Sequence, residues 1–236
     1  MKLRVIDFET TGTQDQPGSA ICEVAYTDVL PGRVVTETKS MLVNPGHPIP
    51  PEMSAIHHIV DSDVAGKPGQ DAVVPFLMHE IDDDDIFVAH NAAFERHFFP
   101  APGHRWVCTY KSAYDFVLDV PSHSNQVLRY FLDLPVDRAF ANHAHRAGAD
   151  SHVTAHLLVH LLDKGMPLSR MIEVSARPVL LRTVPFKKYE GQRWEELDDG
   201  MLRWCRETKD MSEDVVFTAQ HHLDLRRERR SNPFGG

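Results

Sequence analysis

The sequence predicts an α/β fold, and three observations carry that expectation. The N-terminal run LRVIDF is apolar and strand-like, the run IFVA at 86–89 is a short buried-strand type that leads into helical spacing, and 124–132 and 151–163 read as amphipathic or apolar helices. Strands concentrated in the first half and alternating with later helices are the pattern of an α/β domain.

The elements follow in order. Residues 2–8 form the first predicted strand, with Leu3 and Val5 alternating with Arg4 and Ile6, and Thr10-Thr11-Gly12 ends it. A second strand is predicted from Ala20 to Val29 and a third from Arg33 to Val43, separated by the turn signal Pro31-Gly32. The segment NPGHPIPP at 44–51 is rich in proline and reads as an irregular loop. Helical spacing follows over 53–60 and 71–81, then a solvated acidic turn at Asp82 to Asp85. A helix is predicted over 92–99 and a short strand from Trp106 to Thr109. Gly165 and Pro167 stop the helix at 151–163.

The chain has 236 residues, enough for one large domain or a medium domain with a small one. The sequence suggests a first domain over 1–175, a linker at 176–182, a small module over 183–225 and a disordered basic tail at 226–236. With 42% hydrophobic and 25% charged residues the composition is that of a globular protein. No apolar run approaches the ~20 residues that span a bilayer, so a membrane protein is not expected. No apolar signal core opens the chain, so export is not expected either. Cys22, Cys108 and Cys205 are far apart and form no CxxC pair, which fits a reducing cytoplasm and argues against a zinc site. The formal charge of -9 argues against a protein that coats nucleic acid through a broad basic face. It leaves room for one that holds divalent cations between carboxylates.

Candidate chemistry lies in three segments. Asp7 and Glu9 are two apart on a strand, so both carboxylates point to one face, shared with Leu3 and Val5. Two neighbouring carboxylates repel unless a cation or proton lies between them, and hard oxygen donors suit Mg²⁺ or Mn²⁺. A solvated strand end explains the same pair equally well. His90-Asn91-Ala92-Ala93-Phe94-Glu95 follows the buried run, with Asn91 as a helix cap and Glu95 in the first turn, where the helix dipole favours an acid. Ordinary capping accounts for all of it. His145 and Asp150 stand in HRAGAD before the helix VTAHLLVHLL. A histidine beside a metal cluster is a natural general base, and its Ala/Gly-containing segment suggests mobility. A capping Asp with an incidental surface His is the plainer alternative among 15 histidines.

Taken together, DFETTG, AHNAAFE and H-x4-D, in this order and on these elements, resemble the DEDDh (DnaQ-like) family of 3′→5′ exonucleases. IHHI at 56–59, the Trp-x-Cys-Thr segment at 106–109, HRAGAD and FKKYEG…MLRWC extend that resemblance over about residues 1 to 223. The resemblance implies a ribonuclease-H-like mixed sheet flanked by helices. It implies Asp7, Glu9, Glu95 and Asp150 as catalytic, metal-binding acids and His145 as the base. Glu95 stands where the family pattern has Asp. Two Mg²⁺ or Mn²⁺ ions per site would serve in-line phosphodiester hydrolysis. Thr10, Thr11, Gly12, His57 and Asn91 are the implied substrate-binding positions. DNA 3′ ends, single-stranded by preference, are the implied substrate, with a role in repair or proofreading. An exoribonuclease of the same superfamily, or a binding adaptor in which Glu95 has ended turnover, are the rival readings; no protein partner is read from the sequence.

Two further features carry less. His152, His156 and His160 recur at helical spacing without an HExxH glutamate and read as a polar helix face. Phe186, Tyr189, Trp194 and Trp204 among Lys187, Lys188, Arg193 and Arg203 read first as the small module's own core. The basic side chains there, and Arg226, Arg227, Arg229 and Arg230, are candidates for phosphate contact.

Overall fold

The computed structural model describes residues 1–186, 188–209 and 211–231. It divides into two compact units, Met1–Ala176 and Arg177–Gly236.

The first unit is built on a six-stranded mixed sheet. Its strands are β1 (Leu3–Thr10), β2 (Ile21–Leu30), β3 (Val34–Val35), β4 (Lys39–Leu42), β5 (Ile86–Ala89) and β6 (Arg105–Cys108). β1 and β2 pair antiparallel, while β1–β5 and β5–β6 are parallel. The third strand predicted over 33–43 is divided: β3 and β4 each pair with β2, at its two ends, and residues 36–38 interrupt them. There Thr36 Oγ1 accepts from the Asp28 amide and the hydroxyls of Thr27 and Thr38 bond each other.

Around the sheet lie α1 (Pro51–His57), α2 (Asp61–Val64), α3 (Val73–Met78), α4 (Ala92–Phe98), α5 (Thr109–Phe116), α6 (Asn125–Phe131), α7 (Arg138–Ala141), α8 (Ala147–Asp163) and α9 (Leu168–Ser175). The helix predicted over 53–60 starts two residues earlier, at Pro51, where a missing N–H costs nothing, and stops at His58 in the left-handed region. Side chains alternate across each strand, so the sheet has two apolar faces. Leu3, Val5, Val88 and Val107 pack with Val153, Leu157 and Leu161 of α8 on one face. Ile6, Phe8, Phe87 and Ala89 pack with Leu77 of α3 and Ala92 of α4 on the other. Asp85 departs from the solvated turn expected there. It is buried and accepts from the amides of Lys2 and Asp82, which fixes the entry into β5.

The second unit contains α10 (Asp199–Glu207) and α11 (Glu213–Ser231) around Val184, Trp194, Leu202, Cys205 and Val215. Two expectations change here. The linker placed at 176–182 belongs in part to this unit, because Val179 N–H donates to Asp214 and Leu181 N–H to Thr218. The tail placed at 226–236 is helical as far as Ser231, because Arg226 and Arg230 both close on Asp199. Residues 232–236 and Lys187 lie outside the described residues. Trp194 is fully buried in this core, whereas Trp204 is half exposed.

Candidate active site

The C-terminal ends of adjacent parallel strands are where open α/β sheets present ligand-binding groups. Here those ends are β1 and β5. Asp7 and Glu9 project from β1 on the face that α8 covers, as their spacing predicts. A register shift between Glu9 and Thr10 breaks the β1–β2 ladder at this point, and a bulge of this kind re-aims the chain beside a site. The first turn of α8 delivers Asp150. One carboxylate oxygen from each of Asp7, Glu9 and Asp150 lies within 4.8 Å of the others. Among the described residues this is the one group of three or more His, Cys, Asp or Glu side chains so arranged. The histidines of α8 form no such group; the rings of His152 and His156 pack edge to face, 4.6 Å apart.

Glu95 reaches the same place from α4, the helix that follows β5. It is 4% exposed, and its Oε2 is buried without a hydrogen-bond partner. It stands beside the three-acid group and outside its 4.8 Å circle. An orphaned buried carboxylate oxygen is costly, and native structures keep one where an ion or water completes it.

Asp150 is held on both oxygens. Gln126 Nε2 donates to Oδ1 at 2.9 Å and the His145 amide to Oδ2 at 2.8 Å. Asn125 adds a bond to the Asp150 carbonyl at 3.2 Å. His145 is exposed with a left-handed backbone, φ 61°. The segment's expected mobility is met by a tie: its amide is fixed to Asp150, and its imidazole is among the groups that draw the Asp150 carboxyl down.

The electrostatics follow from this crowding. Burial first, and then Asp150, Glu9, Glu95 and Glu23, hold the Asp7 carboxyl well above the usual range. Glu9 is pushed up to about 8 by burial, then by Asp150 and Glu23, with Arg146 opposing. Glu95 rises to about 8, again by burial first, with Glu9 adding to it. Burial also raises Asp150, against its hydrogen bonds from Gln126 and His145. The donor set is all hard oxygen, and its raised carboxyls keep protons in the empty site that a cation would displace. It fits Mg²⁺ or Mn²⁺ held by Asp7, Glu9, Asp150 and Glu95.

Stability should therefore depend on pH in a defined direction. Carboxylates whose folded pKa is raised bind more protons in the native state, so stability falls as pH rises. The metal-free protein should melt highest below about pH 4, as far as these groups decide. It should lose that increment as pH climbs towards 8, the value for Glu9 and Glu95. Thermal melts in chelator from pH 5 to 8.5 check this, and added Mn²⁺ should raise the melting temperature most at the alkaline end.

The other expected site residues divide. Thr10 Oγ1 donates to the Gly12 carbonyl at 2.7 Å, and the Thr11 amide donates to Ala20 O at 2.9 Å, so the turn after β1 is rigid. Both threonines are buried. A Cβ on Gly12 would lie 2.2 Å from Gln16 Oε1 and 2.6 Å from Ser19 Oγ, so only glycine fits that turn undisturbed. Asn91 is exposed at the start of α4, yet its side chain makes no cap, contrary to expectation; its carbonyl accepts from Phe94 instead. His57, expected at the substrate, is an internal residue here. It is fully buried, its Nδ1 accepts from the Ile59 amide at 3.1 Å, and its Nε2 faces Cys22 Sγ at 3.7 Å. His90 is likewise internal, bonded to Thr109 and the His123 carbonyl, and burial lowers it to about 4, so it is neutral.

The sequence reading passed over Glu23, Arg146 and Gln126. Glu23 had a visible signal: an acid inside the apolar run ICEVAYTDV requires a partner when buried. Gln126 had none, because its bond to Asp150 joins two distant helices.

Comparison with known proteins places this geometry. The sequence profile described as Exonuclease (RNase_T) matches residues 5–158, which include all four acids and His145. Exodeoxyribonuclease 10 of Escherichia coli (strain K12) is 35% identical over 227 residues, 94% of this chain and 99% of that protein. A DNA polymerase III subunit epsilon-like protein of Rhodobacter capsulatus is 39% identical over 95 residues, 40% of this chain and 13% of its own. Among solved structures, Exonuclease X in complex with 5′ overhanging duplex DNA superposes with a TM-score of 0.64 at 34% identity, covering 73% of this chain and 99% of that one. E. coli Exonuclease I in complex with a dT13 oligonucleotide gives 0.60 at 14% identity over 98% of this chain and 72% of that one, a likeness of fold alone. With an acid cluster on a ribonuclease-H-like sheet and a relative matched along nearly its whole length, the chain belongs to the exonuclease family of hydrolases.

Proposed function

We propose that this protein is a metal-dependent 3′→5′ exonuclease that removes nucleotides from DNA 3′ ends, single-stranded or frayed ends by preference, in repair or proofreading. The observation that carries the reading is the meeting of Asp7, Glu9 and Asp150 within 4.8 Å, beside a buried Glu95 with an unsatisfied oxygen. Two divalent cations in such a site supply acidification of the attacking water and charge compensation at the leaving 3′ oxygen. The chain's own residues do the rest. The four carboxylates hold the cations. His145, exposed at the mouth of the cluster, takes the proton of the attacking water as the water oxygen bonds to phosphorus and the P–O3′ bond breaks. The tie from its amide to Asp150 keeps the base in register with the acids. The Thr10–Gly12 turn presents backbone to the terminal nucleotide, and Asn91, exposed at the start of α4, hydrogen-bonds it.

Digestion of 5′-labelled DNA and RNA of one sequence, with Mg²⁺, Mn²⁺ or chelator, tests the reading. Stepwise shortening of DNA from the 3′ end, stopped by chelator, is expected. Preferred digestion of RNA would transfer the activity to the rival substrate, and binding without shortening would leave an adaptor.

Two further outcomes are expected. Glu95→Ala should lose at least the 10–100-fold that even supporting residues of metal sites are worth, roughly. Glu95→Asp, which keeps the charge and shortens the reach, should stay active; initial rates on a short oligonucleotide compare them. Ending the chain after Ala176 should leave that rate intact, since the four acids and His145 all lie in the first unit. It should raise KM on long strands and flatten its salt dependence if exposed cations of the second unit hold phosphates. Arg226 and Arg230 are committed to Asp199, which leaves the exposed Lys188, Arg227 and Arg229 as the candidates for that contact. An unchanged KM and salt slope would remove the second unit from substrate binding.

A further inference from the structure

The nuclease reading leaves one charged pair at the site without a role. Glu23 lies on β2 directly across from Glu9 in the antiparallel register and is 4% exposed. Arg146 closes on it with two parallel bonds, Nε to Oε2 at 2.9 Å and Nη2 to Oε1 at 2.8 Å. The Ala147 amide donates to Oε2 as well, at 3.0 Å. Arg146 follows His145 directly and is the N-cap residue of α8. Three consecutive residues are thus pinned to two carboxylates: His145 to Asp150 through its amide, Arg146 and Ala147 to Glu23. Between these pins His145 has a positive φ, an uncommon conformation for a residue with a side chain.

We propose that Glu23 and Arg146 are a positioning pair for catalysis: the bidentate clamp fixes the backbone that aims His145 at the acid cluster and keeps Glu23 out of the metal-binding set. The proposal rests on the nuclease reading above. Two physical arguments carry it. The first is geometric. A planar guanidinium with parallel bonds to a carboxylate defines an orientation as well as a distance, and here it does so one residue from the base. A lysine would supply a point charge without that orientation. The second is chemical. Glu23 is a fifth carboxylate facing four that gather cations. Left free, its oxygens would be hard ligands of the same kind. With both oxygens taken by Arg146 and one shared with the Ala147 amide, Glu23 is occupied before any metal arrives. Arg146 also offsets the negative field on Glu9.

The test uses the full chain with Arg146→Gln, Arg146→Lys, Glu23→Gln and the double variant Glu23→Gln/Arg146→Gln. The double variant keeps a neutral hydrogen-bonded pair, so it serves where Arg146→Gln alone leaves Glu23 unpaired and fails to fold. Two quantities are read: kcat and KM on 5′-labelled single-stranded DNA with Mn²⁺, and hydrogen exchange of the 142–148 amides in metal-free protein. Arg146→Gln should lower kcat by about 10–100-fold, the usual range for residues that orient a metal site, with KM little changed. Arg146→Lys should recover part of it. The His145 and Ala147 amides should exchange faster while those of β1 and β5 do not change. The double variant should fall no further than Arg146→Gln, because groups that act as one unit are not additive. Additive losses, or a raised KM at constant kcat, would show that Arg146 touches substrate by itself and overturn the proposal. So would full kcat in variants whose 142–148 amides exchange freely. A wild-type control that releases no nucleotide with metal would overturn the nuclease reading and the pair's role with it, a failure distinct from that of the pair alone.

Discussion

Asp7→Ala is expected to abolish nucleotide release while giving a protein that, without metal, melts no lower than wild type. The two halves have one cause. Asp7 is half-buried among Asp150, Glu9, Glu95 and Glu23, all of which raise its carboxyl. As a ligand it is central to the cluster, one of the three acids whose oxygens converge. Loss of a supporting residue costs a metal site about 10–100-fold, and loss of a direct ligand should exceed that. As a component of the metal-free fold it is unfavourable, because a buried carboxylate amid like charges costs free energy that alanine does not. Activity with Mn²⁺ and a thermal melt in chelator, on the same preparation, read both halves. Wild-type turnover in this variant would remove the carboxylate cluster from the chemistry.

His145→Ala should lower kcat by about 10²–10⁴-fold, the usual contribution of a general base, with DNA affinity little changed. The side chain is exposed and its structural tie is made by the backbone amide, which alanine retains. The fold and Asp150 should therefore be undisturbed. The pH–rate profile gives a second reading: the limb that reports the base should disappear in the variant. A rate within a few-fold of wild type would take His145 out of the mechanism.

Much of this was legible in the sequence, for reasons that differ by element. Asp7 and Glu9 were placed on one face by the two-residue period of a strand, which no tertiary contact can change. The strand at the start of the chain follows from its alternating apolar residues, and the one at 86–89 from a continuous apolar run. Helix α5 was missed because TYKSAYDF has no apolar stripe. It buries Thr109, Ser112 and Ala113, and small side chains let it approach the core without a hydrophobic pattern. The N-terminal extension of α8 back to Ala147 was hidden by RAGAD, whose glycine reads as a breaker. In the fold Gly148 is buried in the first turn of α8, where a Cβ would stand 3.3 Å from Phe140 and 3.6–3.7 Å from Ser40.

The site shows the same division. Its acids and His145 stand in local motifs visible in the sequence; Glu23 and Gln126, which bond Arg146 and Asp150, are distant in sequence and carry no such motif. Arg146 and Glu23 are 123 residues apart and Gln126 and Asp150 are 24 apart. The surroundings of His57 were equally hidden. His57 ends α1, and its ring meets the Ile59 amide and Cys22 Sγ, partners that IHHI does not reveal. The basic tail was read as free because an arginine run lacks apolar periodicity. Asp199, across the second unit, supplies the ion pairs that order it.

The central claim is that Asp7, Glu9, Glu95 and Asp150 form a divalent-metal site, and calorimetric titration of the metal-free protein with Mn²⁺ at pH 7.5 tests it most directly. Repeating the titration in buffers of different ionisation enthalpy counts the protons released. Glu9 and Glu95, raised to about 8 in the empty site, are partly protonated at that pH, and ligands must lose their protons to bind. The account predicts saturable binding with net proton release, with both strongly reduced in Asp7→Ala. Binding without proton release, or the same isotherm in wild type and Asp7→Ala, would contradict it.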